Sequence, residues 1–409
     1  MRSIVVAISA IFLGGGACAG PLTYDAALSL AADTAPDLQA KVIEVKAART
    51  AAVAAGRLPD PKLELGVEGF PVSGPLAFRP AADDFSDVKV GLMQDLPSGA
   101  KRTAARTRAS ADIDAADAAR AVVARQVRLN TALAWIDLHF ARQRLAALDE
   151  IDRALAPMRG AAPSGLASGA LTPTQTLEPE QLTAVLADRR DDLVASVAKA
   201  RAELVRWTGQ ADADVTGPPP DDAIDEVALR AGLDDIPALR AYGPMSRQAQ
   251  ADLQAAKADR RPDTSWELAW QHRDPRFGDM VMLQATIGLP IFAATRQDPI
   301  IAARAQSASG VLIEREAARR ELAAALDSSL ADHAMHHQRL MRAQQTLVPL
   351  ADRRAHLEAA SYAAGSVGLA DVLAAFLALA EARIDLIDRQ ADVVRDGARI
   401  VLTYGSDPQ

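Results

Sequence analysis

Apolar and polar residues alternate along four short segments of the chain, which is the pattern of β-strands with one apolar and one polar face. The segments form two neighbouring pairs, so the pattern predicts β-hairpins over 62–96 and 264–290. The apolar positions are Leu63, Leu65 and Val67; Val88, Val90 and Leu92; Trp266, Leu268 and Trp270; and Val281, Leu283, Ala285 and Ile287. The polar positions predicted to face water are Glu64, Glu68, Lys89, Glu267 and Gln284.

The remainder of the chain is predicted to form helices, several of them very long. Pro59 and Pro262 end the first helix of each half, because proline and the residue before it disfavour continuing a helix. At about 1.5 Å per residue, the segment 103–160 would extend roughly 85 Å, more than an ordinary domain needs. The predicted helices are 24–56, 103–160 and 173–208 in the first half, and 237–259, 298–360 and 369–404 in the second.

Both halves follow the same order of elements, which indicates an internal two-fold repeat. The spacing from Gly169 to Gly365 equals that from Gly209 to Gly405. We therefore divide the chain into a signal peptide (1–19), a first repeat (20–209, with helical hairpin 103–208), a linker (210–235), a second repeat (236–405, with helical hairpin 298–404) and a tail (406–409).

The last predicted helix has apolar residues in alternating steps of four and three, the spacing of a coiled-coil seam. Several seam residues are alanine, so this helix is suited to close antiparallel packing. The seam consists of Leu373, Leu377, Ala380, Ile384, Ile387, Ala391, Val394, Ala398 and Val401. A plain two-helix bundle would use the same seam, and only the length of the helices favours a tube.

Four strands are too few to close a barrel, and open edges in lipid leave backbone groups without hydrogen bonds. If the sheet lies in a membrane, other copies of the chain must complete it. Two copies would supply eight strands and a filled interior, whereas three would supply twelve and leave room for a passage. The charged inward positions Glu64, Glu68 and Glu267 favour three copies. The alternative is a soluble sheet whose apolar face packs on a helix.

The N-terminus has the features of an export signal. Arg2 supplies positive charge, residues 4–13 are apolar, and Ala17-Cys18-Ala19 fits a small-x-small cleavage site. Cleavage after Ala19 would remove Cys18, the only cysteine in the sequence. Lipidation of Cys18 is the alternative, although the leucine usual three residues upstream is missing. In either case we expect the protein to leave the cytoplasm.

Composition and charge narrow the class of function. Apolar residues make up 49% of the chain but aromatic residues only 4%, so we expect a thin core between closely packed helices. A net charge of -8 argues against a nucleic-acid partner, which needs a basic face. The sequence contains no nucleophile elbow, phosphate loop, CxxC motif or paired acid–base setting, so we expect no enzymatic activity and no cofactor.

The ordered set of features resembles the TolC family of outer-membrane efflux ducts. The resemblance covers the chain after residue 21 and rests on the duplicated order of elements and on GRLPDPKLELG (56–66), GLPIF (288–292) and GSVGLADVL (365–373). The wording of the first motif is most similar to the CzcC-like branch, which serves heavy-metal efflux.

The resemblance implies an α+β membrane protein that forms a homotrimer. Four strands per chain would build a twelve-stranded β-barrel in the outer membrane of a Gram-negative bacterium. A barrel of long coiled-coil helical hairpins would continue it across the periplasm. It also implies a passive exit duct for metal ions or small toxic compounds, with outer-membrane lipid, a periplasmic adaptor and a proton-driven inner-membrane pump as partners.

The resemblance also assigns an adaptor-docking motif to the second helical hairpin. After the tip glycine Gly365, the motif falls on Val367, Gly368 and Leu369, and a plain turn is the alternative. In the first hairpin residues 171–173, Leu-Thr-Pro, stand in its place, which puts docking there in doubt.

Two further groups are candidates for function. Asp371 stands where members of the family close the tube with acidic side chains, although a solvated aspartate at a helix start explains it equally well. His333, His336 and His337 share one helix face, and such a cluster can bind zinc or copper. No cysteine accompanies them, so we prefer a solvated polar face and predict no metal site.

Two other classes of protein remain as alternatives. A periplasmic adaptor also combines strands with a helical hairpin, but it has one hairpin rather than two. A soluble coiled-coil scaffold would be released from cells by osmotic shock.

Overall fold

The computed structural model of the chain describes residues 20–82, 85–167 and 177–405. The predicted signal peptide with Cys18, the first hairpin tip at 168–176 and the tail 406–409 lie outside the described residues. The elements in chain order are α1 (Tyr24–Thr34), α2 (Pro36–Ala52), β1 (Lys62–Glu68), β2 (Asp87–Leu96), α3 (Gly99–Ala167), α4 (Glu178–Thr208), α5 (Glu226–Ala231), α6 (Pro237–Arg240), α7 (Tyr242–Ala258), β3 (Thr264–His272), β4 (Met280–Ile287), α8 (Ala293–Arg342), α9 (Val348–Ala363) and α10 (Leu369–Tyr404). None of the described helices has an apolar stretch long enough to cross a membrane.

The chain divides into two compact units, and each unit draws on both halves of the sequence. The unit that we call the helical unit contains residues 20–39, 124–232 and 324–405. The unit that we call the sheet unit contains residues 40–123 and 233–323.

The four strands form one antiparallel sheet in the order β1-β2-β3-β4, so both predicted hairpins are confirmed and β2 pairs with β3 to join them. The register places residues of the same type in rows across the sheet. One row on the apolar face consists of Leu63, Leu92, Leu268 and Leu283. The next row on that face consists of Leu65, Val90, Trp270 and Val281.

The N-terminal helix is broken where the sequence predicts one helix over 24–56. Ala35 is extended, with ψ of 121°, and Pro36 begins a second helix. The proline ring disfavours helical backbone angles at the residue before it. The prediction of one continuous helix is therefore wrong at Ala35. The second helix also ends earlier than predicted, at Ala52.

A π-helical turn at Ala343–Leu347 separates α8 from α9, where the sequence predicts one helix over 298–360. Pro349 lies just beyond it and has no N–H to donate to the turn before. The N–H of Val348 instead donates to the carbonyl of Ala343, five residues back. The proline therefore accounts for the local widening of the helix.

Helix α10 has the predicted bounds, and much of the predicted seam is buried. In the helical unit, Leu369, Leu373, Ala380 and Ile384 pack in one apolar cluster with residues of α3 and α4. The helix also buries Ala375 and Leu379 against Ala355 of α9. At its C-terminal end Ile400 is buried and Val401 is exposed, so the contact face shifts by one residue from the predicted seam.

Candidate functional site

The polar face of the sheet brings together the residues predicted to face water. The ammonium nitrogen of Lys89 lies 2.5 Å from Glu267 Oε1, 3.4 Å from Glu68 Oε1 and 3.5 Å from Glu64 Oε2. Gln284 is the direct cross-strand partner of Glu267 on the same face. Lys89 and Glu267 are both buried, so their attraction is little screened by water. The polar face therefore carries a charged network centred on one lysine.

Gly91 makes the central ion pair possible. The register pairs Lys89 with Gln271 and Glu267 with Met93, so the lysine reaches diagonally along the sheet to its carboxylate. A Cβ atom at Gly91 would lie 3.0 Å from Glu267 Oε1 and 3.1 Å from the Cβ of Ala269. The missing side chain leaves the space through which Lys89 and Glu267 meet. Gly91 was not among the predicted site residues, and its place between Lys89 and Met93 in the alternation was the available signal.

The apolar face of the same sheet is not covered by any residue that the structure describes. Its large side chains in all four strands are 38% to 72% exposed. In a soluble sheet the apolar face packs on a core, so the alternative of a sheet packed on a helix is wrong for this chain. In the central strands β2 and β3 the residues of the polar face are buried and the large apolar residues are exposed, the reverse of the usual arrangement.

The sheet also ends in two unprotected edges. Each of β1 and β4 pairs with one strand, and nearly all their side chains are exposed on both faces. The outer backbone N–H and C=O groups of an edge strand can pair with another chain.

The tip of the second helical hairpin is a short, well-defined turn in the helical unit. Gly365 has φ of 75°, in the left-handed region that favours glycine. Its N–H donates to the carbonyl of Tyr362, and the N–H of Ser366 donates to the carbonyl of Ser361, both at 2.9 Å. These two bonds form a Schellman motif, which ends α9 and satisfies its last carbonyl groups.

The predicted docking residues differ in how accessible they are. Val367 and Gly368 are half-buried, whereas Leu369 is buried in the apolar cluster with α3 and α4. Leu369 therefore anchors the tip to its own chain, and Val367 and Gly368 provide the accessible part. Docking of an adaptor at this tip stays a prediction.

Asp371 has a structural role at the start of α10. Its carboxylate oxygen Oδ2 accepts a hydrogen bond from the N–H of Gly368 at 3.1 Å. The carboxylate is exposed in the first turn of the helix, where negative charge interacts favourably with the helix dipole. The local contact accounts for the aspartate within one chain, and the gate role stays a prediction.

Of the three histidines predicted to share a solvated face of α8, His337 is exposed, whereas His333 and His336 are half-buried in the helical unit, so the prediction is wrong for these two. His336 Nδ1 lies 2.6 Å from Asp396 Oδ2 on α10, and Asp396 is buried. Burial lowers the pKa of His333, against the opposing effect of the Asp396 and Asp222 carboxylates, so His333 is neutral at pH 7. Within residues 20–82, 85–167 and 177–405, no group of three or more His, Cys, Asp or Glu side chains is placed to hold a metal ion.

The fold is similar to that of several solved structures, although the sequence itself has no close match. No protein-family model matches the sequence, and no curated protein is detectably similar to it in sequence. Among solved structures, a membrane protein from Pseudomonas aeruginosa aligns with a TM-score of 0.79 at 16% identity, over 94% of this chain and 90% of that one. CusC, whose structures concern folding and transmembrane channel formation, aligns with a TM-score of 0.78 at 16% identity, over 94% and 92%.

The outer-membrane channel CmeC of Campylobacter jejuni gives a similar result, with a TM-score of 0.76 at 12% identity over 93% of this chain and 85% of that one. All three alignments cover most of both chains. This chain therefore has the TolC-like fold of outer-membrane channels, with a four-stranded antiparallel sheet and long helices.

Proposed function

We propose that this chain is the outer-membrane channel of a tripartite efflux system. Three copies would join their sheets into a twelve-stranded barrel, and the helices would lie in the periplasm. The proposal rests on the two faces of the sheet. The exposed apolar face suits contact with lipid, and the charged face suits a hydrated passage.

The open edges support completion of the barrel by other copies. An unpaired backbone group in lipid costs several kcal/mol, so β1 and β4 must find partners there. In an antiparallel sheet of four strands the two edge strands run in opposite directions, so β4 of one copy can pair with β1 of the next and continue the antiparallel pattern.

The duct would be passive, and its partners would supply the energy. A periplasmic adaptor would dock at Val367, Gly368 and the turn at Gly365, and a proton-driven inner-membrane pump would deliver the cargo. We propose metal ions or small toxic compounds as cargo. The GRLPDPKL motif at 56–63 favours metal ions as the cargo, because it is most similar to the CzcC-like branch of heavy-metal efflux.

Cysteine crosslinking tests the assembly. If the signal peptide is cleaved after Ala19, the mature chain contains no cysteine, so each introduced pair can be read without interference. We expect Leu63→Cys with Leu283→Cys, one on each edge strand, to give a ladder that ends at the trimer when outer membranes are treated with a short bismaleimide.

The matched control is Leu92→Cys with Leu268→Cys, which are direct partners on β2 and β3 and should crosslink only within one chain. A ladder that ends at two or four copies would refute the trimer, as would a monomer band alone when Leu283→Cys is combined in turn with a cysteine at Leu63, Leu65 and Val67. Release of the protein by osmotic shock would instead favour a soluble scaffold.

Adaptor capture tests the tip. Replacing Gly368 by tryptophan should weaken recovery of the adaptor from crosslinked cells while the edge-pair ladder still ends at the trimer. Gly310→Trp on α8 is the control, since a Cβ there meets no heavy atom within 4 Å. Equal recovery with both variants would remove the docking role.

A further inference from the structure

A cavity of about 410 Å³ lies in the sheet unit, where the loop after β1 and the loop between β3 and β4 meet the ends of the strands. Its apolar lining includes Val67, Phe70, Pro80, Val88 and Pro275. Ligand sites in proteins have this size, and they are mostly apolar with a few placed polar groups. The question is which polar group in this cavity is available to a ligand.

Asp87, the first residue of β2, lines the cavity and is 8% exposed. Its Oδ1 atom is buried and accepts no hydrogen bond from any residue that the structure describes. Glu68 is its direct cross-strand partner and is itself paired with Lys89 at 3.4 Å, so it does not supply the missing hydrogen bond. A buried carboxylate oxygen without a hydrogen bond is costly, and a cationic donor that enters the cavity lowers this cost.

The neighbouring polar side chains are engaged in bonds of their own. Ser86 donates to the carbonyl of Gly69 at 2.9 Å. His272 lies 2.8 Å from Asp279, and Asp274 accepts from Arg276 at 2.8 Å. The guanidinium of Arg273 donates to the carbonyls of Gly278 and Phe277. These contacts leave Asp87 as the group suited to a ligand, although Arg273 also lines the cavity and would favour an anion.

We propose that this cavity binds an amphiphile with an ammonium group. The ammonium would donate to Oδ1 of Asp87, and the apolar body would lie against Phe70 and Pro275. Such a molecule can be a soluble organic amine or a lipid whose headgroup ends in an amine. The site does not depend on the proposed efflux function, because its residues all belong to the sheet unit of one chain.

Three probes with the same body test the charge requirement. They are 4-phenylbutylamine, 4-phenylbutanol and 4-phenylbutyrate, titrated by calorimetry into the full-length protein in an uncharged detergent. We expect the amine to bind about tenfold more tightly than the alcohol, because both can donate a hydrogen bond to the carboxylate but only the ammonium adds a positive charge opposite it. Equal or tighter binding of the butyrate would overturn the proposal and indicate a site at Arg273.

Two variants and one control locate the site. Asp87→Asn should weaken binding of the amine about tenfold and binding of the alcohol by clearly less, because only the amine loses a charge–charge attraction. Asp95→Asn is the matched control on the same strand, where the carboxylate is already paired with Lys62 at 2.7 Å, and it should change neither. Ala81→Trp should fill the cavity and abolish binding of both, which tests the site even if Asp87→Asn does not fold.

Nanodiscs separate the two sources of the amine. If a lipid headgroup is the natural ligand, phosphatidylethanolamine nanodiscs should block the amine probe and phosphatidylglycerol nanodiscs should not. If the ligand is a soluble amine, the probe should bind equally in both. The proposal fails if no amine binds to the unaltered protein, or if Asp87→Asn and Asp95→Asn weaken binding equally.

Discussion

Single residues with no side chain decide what the polar sheet face can do. Gly91 and Gly66 both lie on this face, and Gly66 is the cross-strand partner of Lys89. A Cβ at Gly91 meets Glu267 and Ala269, whereas a Cβ at Gly66 meets nothing within 4 Å. The two glycines of this face therefore differ in the space around them. Only at Gly91 do neighbouring atoms leave too little room for a side chain.

Gly91→Val should separate Lys89 from Glu267 and lower the free energy of unfolding by about 1–3 kcal/mol, the usual cost of overpacking. Gly66→Val should be tolerated, since valine favours strands and has room there. Thermal unfolding in detergent measures both. Equal midpoints for the two variants would show that the space at Gly91 is not needed.

Glycine is needed at position 365 because of the backbone conformation there, and not because neighbouring atoms lack room for a side chain. Gly365→Ala should destabilise the hairpin tip by about 1–2 kcal/mol, because alanine is strained at its φ of 75°. Gly310→Ala should stabilise by about 0.5–1 kcal/mol, because Gly310 lies inside α8 with open space at its Cβ. Denaturant midpoints of the two variants should therefore move in opposite directions, and a shift of the same sign would contradict this account.

His333 makes stability depend on pH with a definite sign. Burial lowers the pKa of His333 in the folded chain, so on acidification the unfolded chain takes up this proton first. The free energy of unfolding should therefore fall as the pH drops below about 6.5, the ordinary histidine value. His333→Gln should show a smaller loss of denaturant midpoint between pH 7.5 and 5.5; an equal or larger loss would exclude His333 as the source.

Helix α10 begins at a turn that ties the tip to the chain. Its start combines Gly365, the cap contact between Gly368 and Asp371, and the burial of Leu369. The predicted roles of Asp371 as gate and as helix cap can be separated, because an amide side chain keeps the hydrogen bond but loses the charge.

Asp371→Ala should lower stability by about 0.5–2 kcal/mol, since the N–H of Gly368 loses its acceptor. Asp371→Asn should keep most of that stability. If Asp371 also closes a gate, single-channel conductance should change in both variants. Conductance that is unchanged in Asp371→Asn would leave only the capping role.

The sequence predicted the elements whose pattern is periodic and missed those that depend on one local bond. Two-residue alternation predicted the four strands, and α10 begins and ends where the sequence predicts. The break at Ala35 follows from the ring of Pro36, which hinders the residue before it, and the π-turn follows from the missing N–H of Pro349; hydrophobic periodicity records neither. The ion pair of Lys89 with Glu267 likewise depends on cross-strand register, which a single strand does not show.

For the whole molecule, the surroundings of the sheet decide the effect of a charge on its apolar face. Leu268 lies in the leucine row and is 57% exposed in the chain. In water a lysine there would be harmless or would improve solubility. In lipid it should cost about 2–4 kcal/mol at the middle of the bilayer.

We therefore expect Leu268→Lys to lower the stability of the protein in bilayers by that amount and to reduce the trimer recovered from outer membranes. Val227→Lys on α5, also exposed, should change stability by no more than about 0.5 kcal/mol. The free energy of unfolding of each variant, measured with denaturant in bilayers, distinguishes the two substitutions. A harmless Leu268→Lys would place the apolar face in water and end the channel proposal.

The uncovered face and free edges of the sheet have a consequence for biogenesis. If the chain is an outer-membrane channel, as we propose, it must cross the periplasm before it assembles, and there its uncovered apolar strands would be prone to aggregate. We therefore expect the chain to need a chaperone of the holdase type that binds the strands until they insert in the outer membrane. In cells that lack such a chaperone, the protein should be degraded or should precipitate before it is inserted.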